Sequence, residues 1–309
     1  MERSFRLDTK IIQELREFLT QEQIKTDVLL KDCTSFKTGG KAGLFLIPET
    51  EDELAGSLSL LKEKDIPYFI LGKGSNLLVS DSGYAGAVIK LGEGLSQIQA
   101  EGTIIRAGAG ASLAKVARVA RQETLTGFEF AAGIPGTVGG AMVMNAGAYG
   151  GEMKDVVESV RLLLEDGSIR EFTCEEMKFG YRTGILKEIK GVALETVFAL
   201  QKGEGEAIDA KMQDFAARRR EKQPLEYPSA GSTFKRPEGH FAGKLIGDAG
   251  LSGYAIGDAK VSEKHNGFVI NTGNATAKDI RDLIFYVKEK VEKETGVVLE
   301  PEVIMVGEF

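Results

Sequence analysis

Hydrophobic positions along the chain fall into short periodic stretches parted by polar or glycine-rich turns. Near the start, Ile11, Ile12, Leu15, Phe18 and Leu19 recur at helical spacing behind Asp8 or Thr9, either of which can cap that helix. A polar turn from Lys31 to Gly40 leads to a strand at Leu44 to Ile47 that stops at Pro48. Thr50 and Glu53 predict a capping box for a helix carrying Leu54, Leu58 and Leu61. A strand at Tyr68 to Leu71 then runs into Gly72, so this part reads as a βαβ unit with a glycine loop at the strand's carboxyl end.

From Val79 to Ala107 short β runs alternate with turns at Asp81-Ser82-Gly83, Gly92 to Gly94 and Gly102. A helix follows over about Ser112 to Gln122, with Leu113, Val116, Ala117 and Ala120 on one face. The next stretch, Gly127 to Met153, sustains neither period and predicts a long folded loop built for close approach. Asp166-Gly167 turns a hairpin, Val192 to Leu200 is a strand, and Glu206 to Lys222 a helix ended by Pro224. In the last third, Thr276 caps a helix with Ile280, Leu283, Ile284, Val287 and Val291 inward, Gly296 ends it, and VVLEPEVIMV reads as a closing strand. The whole predicts an α+β protein: an N-terminal helical segment (1–30), a region from 31 to 200 split near 95–105, and a C-terminal unit (201–309).

Composition narrows what such a fold can do. Average glycine use of about 7% would give roughly 22 residues, so the 38 present are a large excess that needs backbone reasons. Eight of them lie between Gly127 and Met153. A net charge of −7 argues against a general nucleic-acid or membrane-surface binder, and anionic ligands then need local, oriented donors. No run nears the roughly 18 apolar residues of a membrane span, and MERSFRLDTK has no apolar leader core, so a cytoplasmic location is expected. Two cysteines, Cys33 and Cys174, and two histidines, His240 and His265, have no zinc-site spacing. No obligate protein partner is evident.

Difficult chemistry must therefore come from other groups or an organic cofactor. Gly72, Lys73, Gly74, Ser75, Asn76 and Leu77 open GKGSNLL, where glycines leave successive backbone N–H groups unshielded. The loop is either a phosphate nest or a tight inter-strand turn. It is neither a Rossmann fingerprint, lacking the third glycine and the following helix, nor a P-loop. Gly136, Thr137, Gly140, Asn145, Gly147 and Ala148 of the second glycine loop suit close contact with a large planar ligand, and the two loops together favour a dinucleotide.

TSFKTGG, GKGSNLL, GFEFAAGIPGTVGGAMVMNAGAYGGE, FGYRTG, AGSTFKRP, AGKLIGDAGLSGYAIGDAKVSEKHNGFVIN and LEPEV stand in the order found in the UDP-N-acetylenolpyruvoylglucosamine reductase (UDP-N-acetylmuramate dehydrogenase) family, which the chain resembles over residues 30 to 305. The resemblance implies an FAD-binding fold of the vanillyl-alcohol-oxidase (PCMH) type with a C-terminal substrate domain. It also implies non-covalent FAD, NADPH as co-substrate, and reduction of the enolpyruvyl group of UDP-N-acetylenolpyruvoylglucosamine to UDP-N-acetylmuramate for peptidoglycan. By the same resemblance, Arg182 is the carboxylate clamp, Ser232 the proton donor and Glu302 the catalytic glutamate. Ser229 and Glu300 are the competing neighbours, and strand alternation puts both acids of LEPEV on one face. Gly184 stands where relatives often have Ser. Tyr181, Lys235, Arg236 and His265 are implied substrate contacts, although a lone His is also a common structural residue. Arg218 to Arg220 form either a solvated helix end or part of a diphosphate site. There is no room between Arg182 and Ser232 for the tyrosine-bearing insertion of one family branch, so the chain resembles the shorter branch. Two rivals stay open: an FAD oxidase on the same scaffold, and a silent nucleotide-binding module.

Overall fold

The structure, a computed structural model, describes residues 9–309, so a cap at Asp8 lies outside the described residues. The first helix runs Thr9–Leu15 and ends sooner than the apolar pattern suggests. Ile11, Leu15 and Leu19 are buried, whereas Phe18 is exposed with its ring laid over Gly56. Four strands form the first sheet in the order Ile24–Lys25, Ala42–Leu46, Tyr84–Ile89, Tyr68–Ile70, the last three mutually parallel. The βαβ unit is therefore split: the helix Glu51–Glu63 joins Ala42–Leu46 to Tyr68–Ile70, and Tyr84–Ile89 lies between them. Leu44 and Leu46 face that helix, Leu15 and Leu19, while Phe45 and Val88 face Leu30, Leu71 and Val79, as a sheet buried on both sides requires. Only half of the expected capping box forms. Thr50 Oγ1 accepts from Glu53 N at 3.2 Å, but the Glu53 carboxylate accepts from Glu49 N and from the buried Gln23 amide, both at 2.7 Å.

A five-stranded antiparallel sheet carries the second core, in the order Ile169–Thr173, Val157–Leu164, Gly191–Ala199, Ile104–Gly108, Ile98–Glu101. Asp166-Gly167 turns its hairpin, with Gly167 at φ 83° and Ser168 N donating to Asp166 Oδ1. Leu113–Gln122, capped by Ser112, packs Leu113, Val116, Ala117 and Ala120 inward. The stretch Gly127 to Met153 is not a loop throughout, as its sequence suggested. It holds a seven-residue helix, Val138–Met144, which Thr137 caps through Gly140 N and Asn145 ends at φ 40°. Two glycines hide that helix from propensity, and Gly139 is needed because a Cβ there would meet Ala109 Cβ at 3.0 Å. Gly205–Lys222 lays Met212 and Phe215 against this second core.

A third core gathers Leu245, Ile246, Val261, Val269 and the inward face of Ala277–Thr295. Thr276 caps that helix with a full capping box, and Gly296 ends it at φ 72°. The expected closing strand shortens to Ile304–Val306, because Pro301 interrupts it. This strand pairs parallel with Leu77–Val79, directly after the first glycine loop. Phe36 and Leu78 are buried in the same core, Asn271 Nδ2 donates to Phe36 O at 3.0 Å, and Asp81 accepts from Ala277 N and Lys278 N.

Candidate active site

Arg182 sits on a tight turn in which Gly180 and Thr183 exchange hydrogen bonds of 3.1 and 3.3 Å. Its φ of 56° is a left-handed conformation that costs a non-glycine residue about 1–2 kcal/mol. Lys187 Nζ donates to Arg182 O at 2.6 Å and Asn145 Nδ2 to Gly180 O at 3.0 Å, so the strain is held from both sides. The guanidinium Nη2 donates to Gly147 O at 3.3 Å. Its Nε lies 2.9 Å from Glu302 Oε1, yet the N–H is not directed at that oxygen, and this buried atom has no hydrogen-bond acceptor. The Arg182 and Glu302 side chains are 23% and 13% exposed. Burial pushes the Glu302 carboxyl above the usual carboxylate range, against the opposing pull of Arg182, Lys187 and Lys235.

Backbone pairing sets Glu302 and Ser232 side by side. Glu302 N donates to Thr233 O at 2.8 Å and Lys235 N to Glu300 O at 2.9 Å. Thr233 is fully buried, donates to Gly267 O and accepts from Val269 N, which fixes Ser232 beside it. Arg182, Ser232 and Glu302 thus line one cleft of about 410 Å³, together with Arg236, Lys244 and His265. The neighbours separate on geometry. Ser229 bridges to Ile270 outside this cleft, and Glu300 points to solvent in an ion pair with Lys235. Because residues 297–300 are not strand, alternation does not decide between the acids; burial does.

Tyr181 Oη accepts from Arg236 N at 3.1 Å, and the Arg236 guanidinium lies 4.0 Å over the Phe241 ring. Lys235 is engaged by Glu300 and does not line the cleft. His265 Nδ1 accepts from Gly267 N at 3.1 Å, which leaves the proton on Nε2, and burial lowers its pKa so that the ring is neutral. It is both hydrogen-bonded and cleft-lining. Arg218 pairs with Asp214 at 2.7 Å, the solvated reading of the arginine run. Arg219 differs: it lies against Gly133, has no carboxylate partner among the described residues, and burial lowers its pKa. Sequence reasoning missed Lys244, which resembles an ordinary i,i+4 surface pair with Asp248, and Asn266, whose buried Oδ1 has no partner. An Asn next to a cleft His was the available signal.

On the other side of Arg182 lie the two glycine loops, which meet: a Cβ on Gly72 would come within 2.7 Å of Thr137 Oγ1. No backbone N–H from Gly72 to Asn76 finds an acceptor among the described residues, and Gly74 adopts φ 59° where a side chain would collide with Cys33 O. A run of bare, unsatisfied amides fits a pyrophosphate. The Asn76 and Asn145 side-chain amides are instead engaged inside the protein, Asn76 with Glu302 O at 3.1 Å. A second cleft of about 1010 Å³, not lined by Arg182, lies between Tyr68, Ile70, Glu165 and Val192, on the strand that feeds Gly72. Among the described residues no acidic, His or Cys cluster could hold a metal, and no helix is long and apolar enough to cross a membrane.

An amide nest on one half and a cationic cleft on the other, meeting at Arg182 and Glu302, define a dinucleotide-binding oxidoreductase with a separate substrate-side unit. Residues 42–173 match the family described as "FAD binding domain", and residues 223–306 that described as "UDP-N-acetylenolpyruvoylglucosamine reductase, C-terminal domain". The chain is 53% identical over 298 residues to the UDP-N-acetylenolpyruvoylglucosamine reductase of Caldanaerobacter subterraneus subsp. tengcongensis, covering 96% of this chain and 98% of that protein. It is 49% identical over 294 residues to that of Clostridioides difficile, covering 95% and 97%. The solved reductase of Thermus caldophilus matches with a TM-score of 0.80 at 37% identity, over 92% of this chain and 100% of that one. The chain belongs to the UDP-N-acetylenolpyruvoylglucosamine reductase family, in its short form. It is an α+β flavoenzyme whose FAD-binding domain is of the PCMH type, and it acts as a reductase of the enolpyruvyl group.

Proposed function

We propose that the chain uses NADPH to reduce UDP-N-acetylenolpyruvoylglucosamine to UDP-N-acetylmuramate, a cytoplasmic step of peptidoglycan precursor synthesis. The observation that carries this is the half-buried Arg182–Glu302 pair, which lines one cleft with Ser232. Non-covalently bound FAD supplies the hydride relay from nicotinamide to substrate. The amides of Gly72 to Asn76, with Leu77 beside them, cradle its pyrophosphate. Gly136, Thr137, Gly140, Gly147, Ala148 and the backbone of Asn145 would hold the rest of the cofactor. We place the boundary between the FAD-binding and substrate units after Lys222, since the helix before it packs on the flavin-side core.

The Arg182 guanidinium, which lines the cleft, takes the substrate carboxylate and favours the extra charge that develops as an enolate. Glu302 orients that guanidinium across their 2.9 Å contact. Ser232 gives a proton to the carbon beside the carboxylate while hydride adds to the terminal carbon, so two hydrogens add across C=C and one NADPH is oxidised. Arg236, Lys244 and the Nε2–H of His265 supply donors for the rest of an anionic nucleotide. Purified protein is expected to be yellow, to release flavin on denaturation, and to oxidise NADPH anaerobically only when the enolpyruvyl nucleotide is present. A colourless preparation that FAD does not reconstitute refutes the reading, and oxygen-dependent turnover without nucleotide favours an oxidase.

A further inference from the structure

Each glycine loop directs one asparagine amide onto the backbone that carries one member of the Arg182–Glu302 pair. Asn145 is fully buried. Its Nδ2 donates to Gly180 O at 3.0 Å and Glu152 Oε2 at 2.7 Å, and its Oδ1 accepts from Lys154 N at 2.9 Å. Both N–H groups of the amide are thereby engaged within the protein. Gly180 opens the turn that holds Arg182 at φ 56°, and Arg182 Nη2 reaches back to Gly147 O, two residues beyond Asn145. Asn76 does the same for the other partner. Its Nδ2 donates to Glu302 O at 3.1 Å and its backbone carbonyl accepts from Ile304 N at 2.9 Å. These links span 35 and 226 residues of sequence. The Gly180–Thr183 turn already closes with its own two hydrogen bonds, so local structure does not require the Asn145 contact.

We propose that Asn145 and Asn76 are positioning residues that register the Arg182–Glu302 pair against the flavin loops, so that the clamp for the substrate carboxylate is built onto the cofactor-binding backbone. The inference rests on the roles given above to Arg182 and Glu302. Hydride transfer needs the reacting atoms about 3–3.5 Å apart, and a misplacement of about 1 Å costs roughly a hundredfold. The hydride source is held by the loops and the substrate by Arg182, so a fixed distance between them needs a physical tie. The two amides complete that tie beside the Ile304–Val306 pairing and the Arg182–Gly147 contact.

The test uses holoenzyme carrying Asn145→Gly or Asn76→Ala, the first combined also with Arg182→Ala and the second with Glu302→Gln. Glycine accepts φ 40° and removes the amide without straining the helix end. FAD content of the purified protein, its unfolding midpoint, flavin reduction by NADPH, and reoxidation by the enolpyruvyl nucleotide are measured separately. Reoxidation by the nucleotide should slow about tenfold to a hundredfold, well beyond any accompanying fall in FAD content or in reduction by NADPH. That loss should shrink to about twofold in the Arg182→Ala or Glu302→Gln background, because a residue acting through another then has nothing to position. Additive losses, or reduction and FAD content falling in step with reoxidation, overturn the proposal. Should Asn145→Gly not fold, Asn76→Ala gives the same test from the other loop. Wild-type protein that neither binds FAD nor is reoxidised by the nucleotide refutes the proposed function instead, so the two failures are distinct.

Discussion

Replacing Arg182 by Ala leaves Glu302 where burial already holds its carboxyl above the usual range, and removes the strongest of the cations that pull it down. Charges roughly 4 Å apart interact by about 1 kcal/mol at the dielectric of water and about 4 kcal/mol at an effective dielectric of about 20. With side chains 23% and 13% exposed, the pair lies nearer the second value. Glu302 should therefore titrate higher in the variant. The direction is fixed, since loss of a cation favours the neutral acid. The assay is single-turnover reoxidation of pre-reduced enzyme by the enolpyruvyl nucleotide across about pH 5 to 9. The Glu302 inflection should move up, and the rate should fall by about 10²–10³ for loss of the enolate-stabilising donor. Arg182→Lys restores the charge without the planar fork, so its inflection should return toward wild type while the rate stays low. An inflection unmoved in Arg182→Ala refutes the coupling of these two groups.

Ser232→Ala should leave flavin reduction by NADPH intact and slow reoxidation by substrate severely, since only that step needs its proton; equal slowing of both counts against the assignment. Gly72→Ala drives a Cβ to 2.7 Å from Thr137 Oγ1 where the loops meet, and fluorescence titration should show FAD affinity weakened by about tenfold or more; unchanged affinity removes Gly72 from the cradle. Glu302→Gln should stabilise the protein at about pH 8. A folded-state pKa raised above the unfolded value of about 4.3 means that stability is lost as pH rises through it, and Gln escapes that loss. Below about pH 4 the thermal midpoints of variant and wild type should converge, and a gain that persists there would point to packing instead.

What the sequence disclosed was what local physics decides. The helix Ala277–Thr295 was legible from end to end because its cap, apolar stripe and terminal glycine are all read within a few residues of each other. The bare amides at Gly72 to Asn76 follow likewise from the local glycine pattern. Val138–Met144 was not, because its glycines serve contact with Ala109 and no local propensity. Within the site, Glu300 and Glu302 have the same local pattern. They are told apart by burial, which the pairing with Thr233 and Lys235, nearly seventy residues away, sets. The roles of the Asn76 and Asn145 side chains escape the sequence for a like reason, since the carbonyls they meet lie 226 and 35 residues away.

Those distant contacts also decide how far the two units can move apart. Ile304–Val306 pairs with Leu77–Val79, and Asp81, at the end of that run, accepts from Ala277 N at 2.8 Å and Lys278 N at 3.1 Å at the start of the 19-residue helix Ala277–Thr295. Glu302 lies two residues before the paired strand, so a rigid-body hinge here would tear it from Arg182. Closure over substrate must therefore use elements other than this seam. Asp81→Ala measures how much the seam contributes. Losing a capping carboxylate and its interaction with the helix dipole should cost about 1–3 kcal/mol, the lower part of that range applying because Asp81 is exposed. If the halves form one cooperative unit, urea unfolding of the holoenzyme should keep a single transition with an unchanged slope and a lower midpoint. A second transition, or a reduced slope, would show that the halves unfold separately and that the seam does not hold Glu302 in place.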